Sequence, residues 1–154
     1  MARRTLGDLI DELAEHGDAE AIIAHHPKTQ VVWTRQQLHD ETLRFASCLL
    51  NAGVTPGEPV GLFASARPEW PAAMLAIARA GAVAMPLAEQ MVGSELVRIL
   101  VHSGCRHMIT TARHVKMLAS LEGADKLMLI LLDDAERAPA SDLTVHSWRT
   151  MPPQ

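Results

Sequence analysis

Apolar positions change period several times along the chain, and the changes divide it into elements. Residues 66–87 read A-R-P-E-W-P-A-A-M-L-A-I-A-R-A-G-A-V-A-M-P-L, which predicts a loop, a buried helix, a glycine stop and a short buried strand. Pro68 and Pro71 suit a helix's first turn, where a missing backbone N–H costs little. Residues 72–78 have almost no polar face, so this helix is covered on several sides. Gly81 suits the left-handed position past the helix end. Residues 83–85 then read as a central strand, closed by Pro86, which cannot donate to a ladder.

The same reading extends in both directions. Thr5-Leu6-Gly7-Asp8 has capping-box spacing, with aspartate for the usual glutamate. Leu6, Leu9, Ile10 and Leu13 follow at helical spacing, and Gly17 ends the helix. Residues 21–26 and 30–34 flank Pro27-Lys28-Thr29 and predict a β-hairpin with a three-residue loop. Thr34-Arg35-Gln36-Gln37 is a second capping box; it opens a helix with Leu38, Phe45, Leu49 and Leu50 inward, stopped at residues 51–53. A turn-rich stretch leads into an apolar strand over residues 60–64. Gly93 and Ser94 precede a helix carrying Leu96, Ile99 and Leu100, which stops at Gly104. Residues 106–111 form a strand, 112–121 a helix and 126–132 a strand. Strands alternating with helices at this spacing specify an α/β fold: a mainly parallel sheet with helices on both faces, plus the N-terminal hairpin. Residues 1–133 form the α/β unit. Residues 134–154 read as a polar linker or tail, within which 143–148 make one short element.

Composition narrows the function. The chain has 154 residues, enough for one sizeable core, with 48% hydrophobic and 21% charged residues. A formal charge of −4, scattered basic residues and no tyrosine argue against nucleic-acid binding. Cys48 and Cys105 make no disulfide framework and read as buried gap-fillers. The basic start, Met1-Ala2-Arg3-Arg4, is followed by an acidic amphipathic helix, not an apolar signal core. The apolar run at residues 127–132 is too short to span a bilayer. A cytoplasmic protein is the default.

Candidate chemistry is sparse. His102, Cys105 and His107, with His114 beyond, have short metal-ligand spacings, but strand alternation sends neighbouring side chains to opposite faces. His25 and His26 straddle a strand in the same way. Ser65, at a strand end before a helix, lacks the G-x-S-x-G elbow, and Ser94, Ser103 and Thr34 read as caps or turn residues. Asp133-Asp134 stands at a strand's carboxyl end, where α/β folds place ligands, although adjacent acids at a loop start are usually solvated. The acidic residues Asp8, Asp11, Glu12 and Glu15 read as a solvated face. Neither G-x-G-x-x-G nor G-x-x-x-x-G-K-[ST] occurs.

Arg67-Pro68-Glu69-Trp70, followed by Arg79-Ala-Gly-Ala-Val-Ala-Met-Pro-Leu87, resembles a segment of the adenylate-forming superfamily: acyl-CoA synthetases, firefly-type luciferases and the adenylation domains of peptide synthetases. There the pattern is asparagine-x-x-glutamate-tryptophan, then lysine-alanine-glycine-alanine-x-x-x-proline-leucine-asparagine. Here Ala66, Arg79 and Ala88 replace the first asparagine, the lysine and the last asparagine. The family's threonine-tyrosine-x-glutamate-leucine start is half matched at Thr34, with Arg35 and Gln37 substituted. Its glycine-valine-x-x-glycine-aspartate is recognisable at residues 53–58, with Glu58 for the aspartate. The resemblance implies the first subdomain of the family's large N-terminal lobe. It also implies a complete enzyme that uses ATP, Mg²⁺ and coenzyme A or a carrier thiol, activating a carboxylate as its acyl-adenylate before thiol transfer. The family's Ser/Thr/Gly-rich phosphate loop falls beyond residue 154 by this resemblance. So no residue here carries over as catalytic, cofactor-binding or metal-binding, and no cofactor is assigned to this chain. Its partner is the rest of the adenylating enzyme. Two other readings stay open: a stand-alone binding or regulatory module of the same fold, and an unrelated Rossmann-like or flavodoxin-like nucleotide-binding domain. For residues 67–70 the alternatives are a loop with Trp70 anchored in the core and a surface that shapes an entry path.

Overall fold

Along the chain the elements run α1 (Leu6–Leu13), β1 (Glu20–His26), β2 (Thr29–Thr34), α2 (Arg35–Asn51), β3 (Pro59–Leu62), α3 (Glu69–Arg79), β4 (Val83–Pro86), α4 (Gly93–Ser103), β5 (His107–Thr110), α5 (Ala112–Ala119), β6 (Met128–Leu131) and β7 (Thr144–Ser147). The computed structural model describes residues 5–133 and 140–150. Both predicted capping boxes are formed. The Thr5 hydroxyl accepts from the Asp8 N–H at 3.2 Å while the Asp8 carboxylate accepts from the Thr5 N–H at 2.6 Å. Thr34 and Gln37 exchange the same pair of bonds at 3.2 and 2.8 Å. Each box satisfies two N–H groups that a helix start leaves orphaned. Gly81 has φ 74°, the left-handed backbone predicted for the end of α3.

The hairpin turn is one residue tighter than predicted. Thr29 pairs with His26 in the ladder, so only Pro27 and Lys28 remain to turn the chain.

Five parallel strands form the main sheet in the order β4-β3-β5-β6-β7. The predicted central position of residues 83–85 is therefore corrected: β4 is an edge strand. After β4 the chain crosses beside β3 through α4 and adds β5 on the far side, so β4 gains no second neighbour. Val83 and Pro86 are exposed. An edge also explains how a strand can contain Pro86, whose missing N–H would break an inner ladder.

Alternation along the strands divides the core between the two faces. Val60, Leu62, Ile109, Ile130 and Leu132 meet α2 and α3 through Phe45, Leu49, Ala72, Ala73, Ala76 and Ile77. Phe63, Met108, Leu129 and Leu131 meet α4 and α5 through Leu96, Leu100, Val115 and Leu118. The small residues of α3 explain its lack of a polar face: α2 packs on it closely from one side and the sheet lies beneath. Within the stretch read as a polar tail, the short element is β7, and Trp148 beyond it is buried at 1% exposure. The Trp148 ring stacks on Phe45 at 4.1 Å, and its N–H donates to the Leu132 carbonyl at 3.1 Å.

Candidate functional site at the carboxyl end of the sheet

Numbered by chain order within the sheet, the strands lie 2-1-3-4-5, so the direction of winding reverses between β3 and β5. In open α/β sheets the carboxyl ends at such a reversal are where ligands bind. The chain places Phe63, Thr110, Thr111 and His114 there. Thr110 donates its hydroxyl to the Phe63 carbonyl at 2.8 Å, tying the two strand ends together. His114 lies against the Phe63 ring with centroids 4.7 Å apart, and its Nδ1 is 3.2 Å from both threonine hydroxyl oxygens. Thr110 has already committed its proton to the carbonyl, so Thr111 is the hydroxyl able to donate to Nδ1. On the other side of the ring, Nε2 lies 3.2 Å from Oε1 of Glu89, an electrostatic approach without hydrogen-bond alignment. Arg113 closes on the same carboxylate. Burial, helped by the Arg113 charge, pushes His114 below its ordinary value despite the opposing pull of Asp133. The ring is therefore neutral at pH 7.

Near this end the starts of α4 and α5 are served by the chain's own side chains. Asp133 accepts from the Ala112 N–H at the start of α5 at 2.9 Å, and Glu95 accepts from the Val92 N–H at 3.3 Å beside α4. Glu69 stands in the first turn of α3. A helix start offers N–H groups and a positive partial charge to an anion, and at α4 and α5 carboxylates already occupy the position, whereas Glu69 is turned to Arg67.

A second set surrounds Glu69. This carboxylate is nearly buried and accepts from Arg67 Nε at 2.9 Å; Arg149 approaches its other oxygen at 3.7 Å. Arg149 and Arg44 lie over the Trp148 ring at 5.2 and 5.3 Å, and Arg44 donates to the Arg149 carbonyl at 2.9 Å. Burial raises the Glu41 carboxyl above its usual value, against the lowering effect of Arg44 and Arg149. Three arginines and two glutamates thus join α2, α3 and the segment after β7. Beside them, Ala66, Arg67 and Pro68 border a groove of about 270 Å³ with Ile22, Ile23, Ala24 and His25 of the hairpin. Trp70 is half-buried against the core, and Arg67 faces the groove. Of these four residues, Glu69 and Trp70 lie in the first turn of α3, and Arg67 and Pro68 precede it.

The His/Cys set suggested by spacing is dispersed. His107 points towards the α2 face, with Nδ1 2.5 Å from Glu58 and Nε2 3.0 Å from the Ala52 carbonyl. The Cys105 thiol donates to the His107 carbonyl at 3.2 Å, and burial pushes it up to about 11. His102 is exposed on α4, and His114 stands at the opposite end of the sheet from Cys105. Among the described residues no three His, Cys, Asp or Glu side chains come together as a metal site. His25 is exposed. Ser65 follows β3 in the strand-end loop, and Ser103 accepts from the Cys105 N–H at 3.3 Å as a turn residue. Asp133 caps α5; Asp134 lies outside the described residues. Sequence reasoning missed Glu89 and the Glu58–His107 pair. Glu89 had one usable signal, its place three residues past the end of β4.

The fold is an open, doubly wound parallel sheet of order 2-1-3-4-5 with an appended antiparallel hairpin. Adenylate-forming enzymes of known structure share it. An acyl-CoA synthetase of Brucella canis superposes with a TM-score of 0.78 at 21% identity, over 91% of this chain and 26% of that one. The adenylation domain of a carboxylate reductase from Mycobacterium chelonae does so with a TM-score of 0.77 at 16% identity, over 99% and 30%. The family model described as AMP-binding enzyme matches residues 10–153, and the chain belongs to that family. Among curated relatives, an acyl-CoA ligase of Aspergillus fumigatus is 34% identical over 110 residues, covering 71% of this chain and 18% of the relative. A phosphinothricin tripeptide synthetase of Streptomyces viridochromogenes is 34% identical over 140 residues, covering 90% of the chain and 12% of the relative. The chain thus spans less than a fifth of either relative.

Proposed function

We propose that this chain is the opening subdomain of an ATP-dependent enzyme that activates a carboxylic acid as an acyl-adenylate and passes the acyl group to a thiol such as coenzyme A. Alone, it does not adenylate. In this reading residues 1–133 and the strand β7 form the subdomain. The polar stretch from residue 134 leads towards the ATP-binding portion, and the partner is that downstream lobe. ATP, Mg²⁺ and the thiol belong to the longer enzyme, and no residue of this chain is assigned to them.

The observation that carries the reading is apolar surface left in water. Ile23 and Val32, directly opposed across the hairpin, are 47% and 37% exposed, and Val83 on the open β4 edge is 54% exposed. An uncovered apolar strand edge invites pairing and is normally blunted by charge or covered. A self-contained module would have sealed these positions with polar side chains. The carboxylates at the starts of α4 and α5 argue against a free-standing nucleotide binder.

The test is ATP–pyrophosphate exchange by the purified chain across a panel of carboxylic acids. No exchange above the protein-free blank is expected. Exchange with any acid would overturn the proposal, because an adenylating site would then exist within these residues.

A further inference from the structure

At the amino end of the sheet, opposite the surface just described, α4 and the connection from α5 to β6 part to leave a cavity of about 300 Å³. Its floor is apolar. Leu100, Cys105, Ala124 and Leu127 are buried there, and Val97 and Leu121 complete the walls. Gly104 ends α4 with φ 68°, and a Cβ built on it meets nothing within 4 Å, so the mouth beside it is open. Cys105 is no nucleophile: its thiol is spent on the His107 carbonyl, and burial holds the proton on.

Three charged residues line the mouth: Arg106, Lys126 and Glu122. All three are exposed, and none forms an ion pair among the described residues. Arg106 and Lys126 flank neighbouring strand starts, since the Arg106 carbonyl accepts from the Met128 N–H at 2.7 Å. Two cations against one anion, over a leucine-rich floor of ligand-pocket size, fit a molecule with an apolar body and one negative group. The carbonyl end of α4 and Glu122 oppose an anion, so the two cations must outweigh them.

We propose that this cavity binds a small amphipathic organic acid, with its hydrocarbon body against Leu100, Leu121 and Leu127 and its carboxylate between Arg106 and Lys126. The contact is non-covalent, at the end of the sheet opposite Thr110, Thr111 and His114.

Calorimetry and ligand-observed NMR with octanoate, octanol and octylamine on the 154-residue chain test it. Octanoate binds most tightly and octylamine least. The double variant Arg106→Gln/Lys126→Gln weakens octanoate about fivefold and leaves octanol unchanged. Val101, at the mouth and 76% exposed, offers a block that leaves the core alone: Val101→Trp abolishes binding while the circular dichroism spectrum is retained. The proposal is overturned if octanoate does not bind at millimolar concentration, if octylamine binds as well, or if both variants bind octanoate like the parent.

Discussion

His114 and Glu58 show how single side chains tie charge to fold. Burial and Arg113 hold His114 below its ordinary 6.5. At Glu58 burial favours the neutral form, but hydrogen bonds from Thr55 and His107 outweigh it and hold the carboxyl below its ordinary 4.5. Both folded-state values are depressed, so in each case the unfolded chain takes up its proton first as pH falls. The stability each contributes is complete above its unfolded value and is lost below it. Urea midpoints measured from pH 8 to pH 3 should therefore fall in two stages, beginning near 6.5 for His114 and near 4.5 for Glu58. His114→Gln should remove the upper stage and spare the lower one. An unchanged upper stage in that variant would contradict the assignment.

Among the elements, β7 departs furthest from its sequence signal. Its four residues follow a polar stretch, and alternation over so short a run cannot be told from a loop. What fixes it is distant: Phe45 of α2 under the Trp148 ring, the Leu132 carbonyl for the indole N–H, and Arg44 on the Arg149 carbonyl. Trp148→Ala should cost about 3–5 kcal/mol in chemical denaturation, the range for truncating a buried aromatic. A loss below about 1 kcal/mol, the range of an ordinary surface change, would mean that the segment does not complete the core. The helices were legible for the opposite reason. Thr5–Asp8 and Thr34–Gln37 are local devices whose partners lie three residues away, and Gly81 and Gly104 mark stops through their own backbone. Residues 83–85 read as central because an apolar run reports burial, whereas edge or centre is decided by where the next crossover lands.

For the whole molecule, the fold class and family were legible because repeated βα units and the residues 67–87 are both local patterns. The candidate site was legible only in outline: strand ends can be located from sequence, but the meeting of Glu89 with His114, or of Glu69 with Arg149, depends on crossovers that bring distant residues together. The relatives are several times longer, and at the carboxyl end of this sheet the starts of α5 and α4 are already satisfied by Asp133 and Glu95. No described helix is long and apolar enough to cross a membrane. We propose that this sheet frames an adenylating enzyme without itself holding the nucleotide. In isothermal titration of the chain with ATP–Mg²⁺, no binding heat beyond dilution is expected; saturable binding in the micromolar range would contradict the proposal.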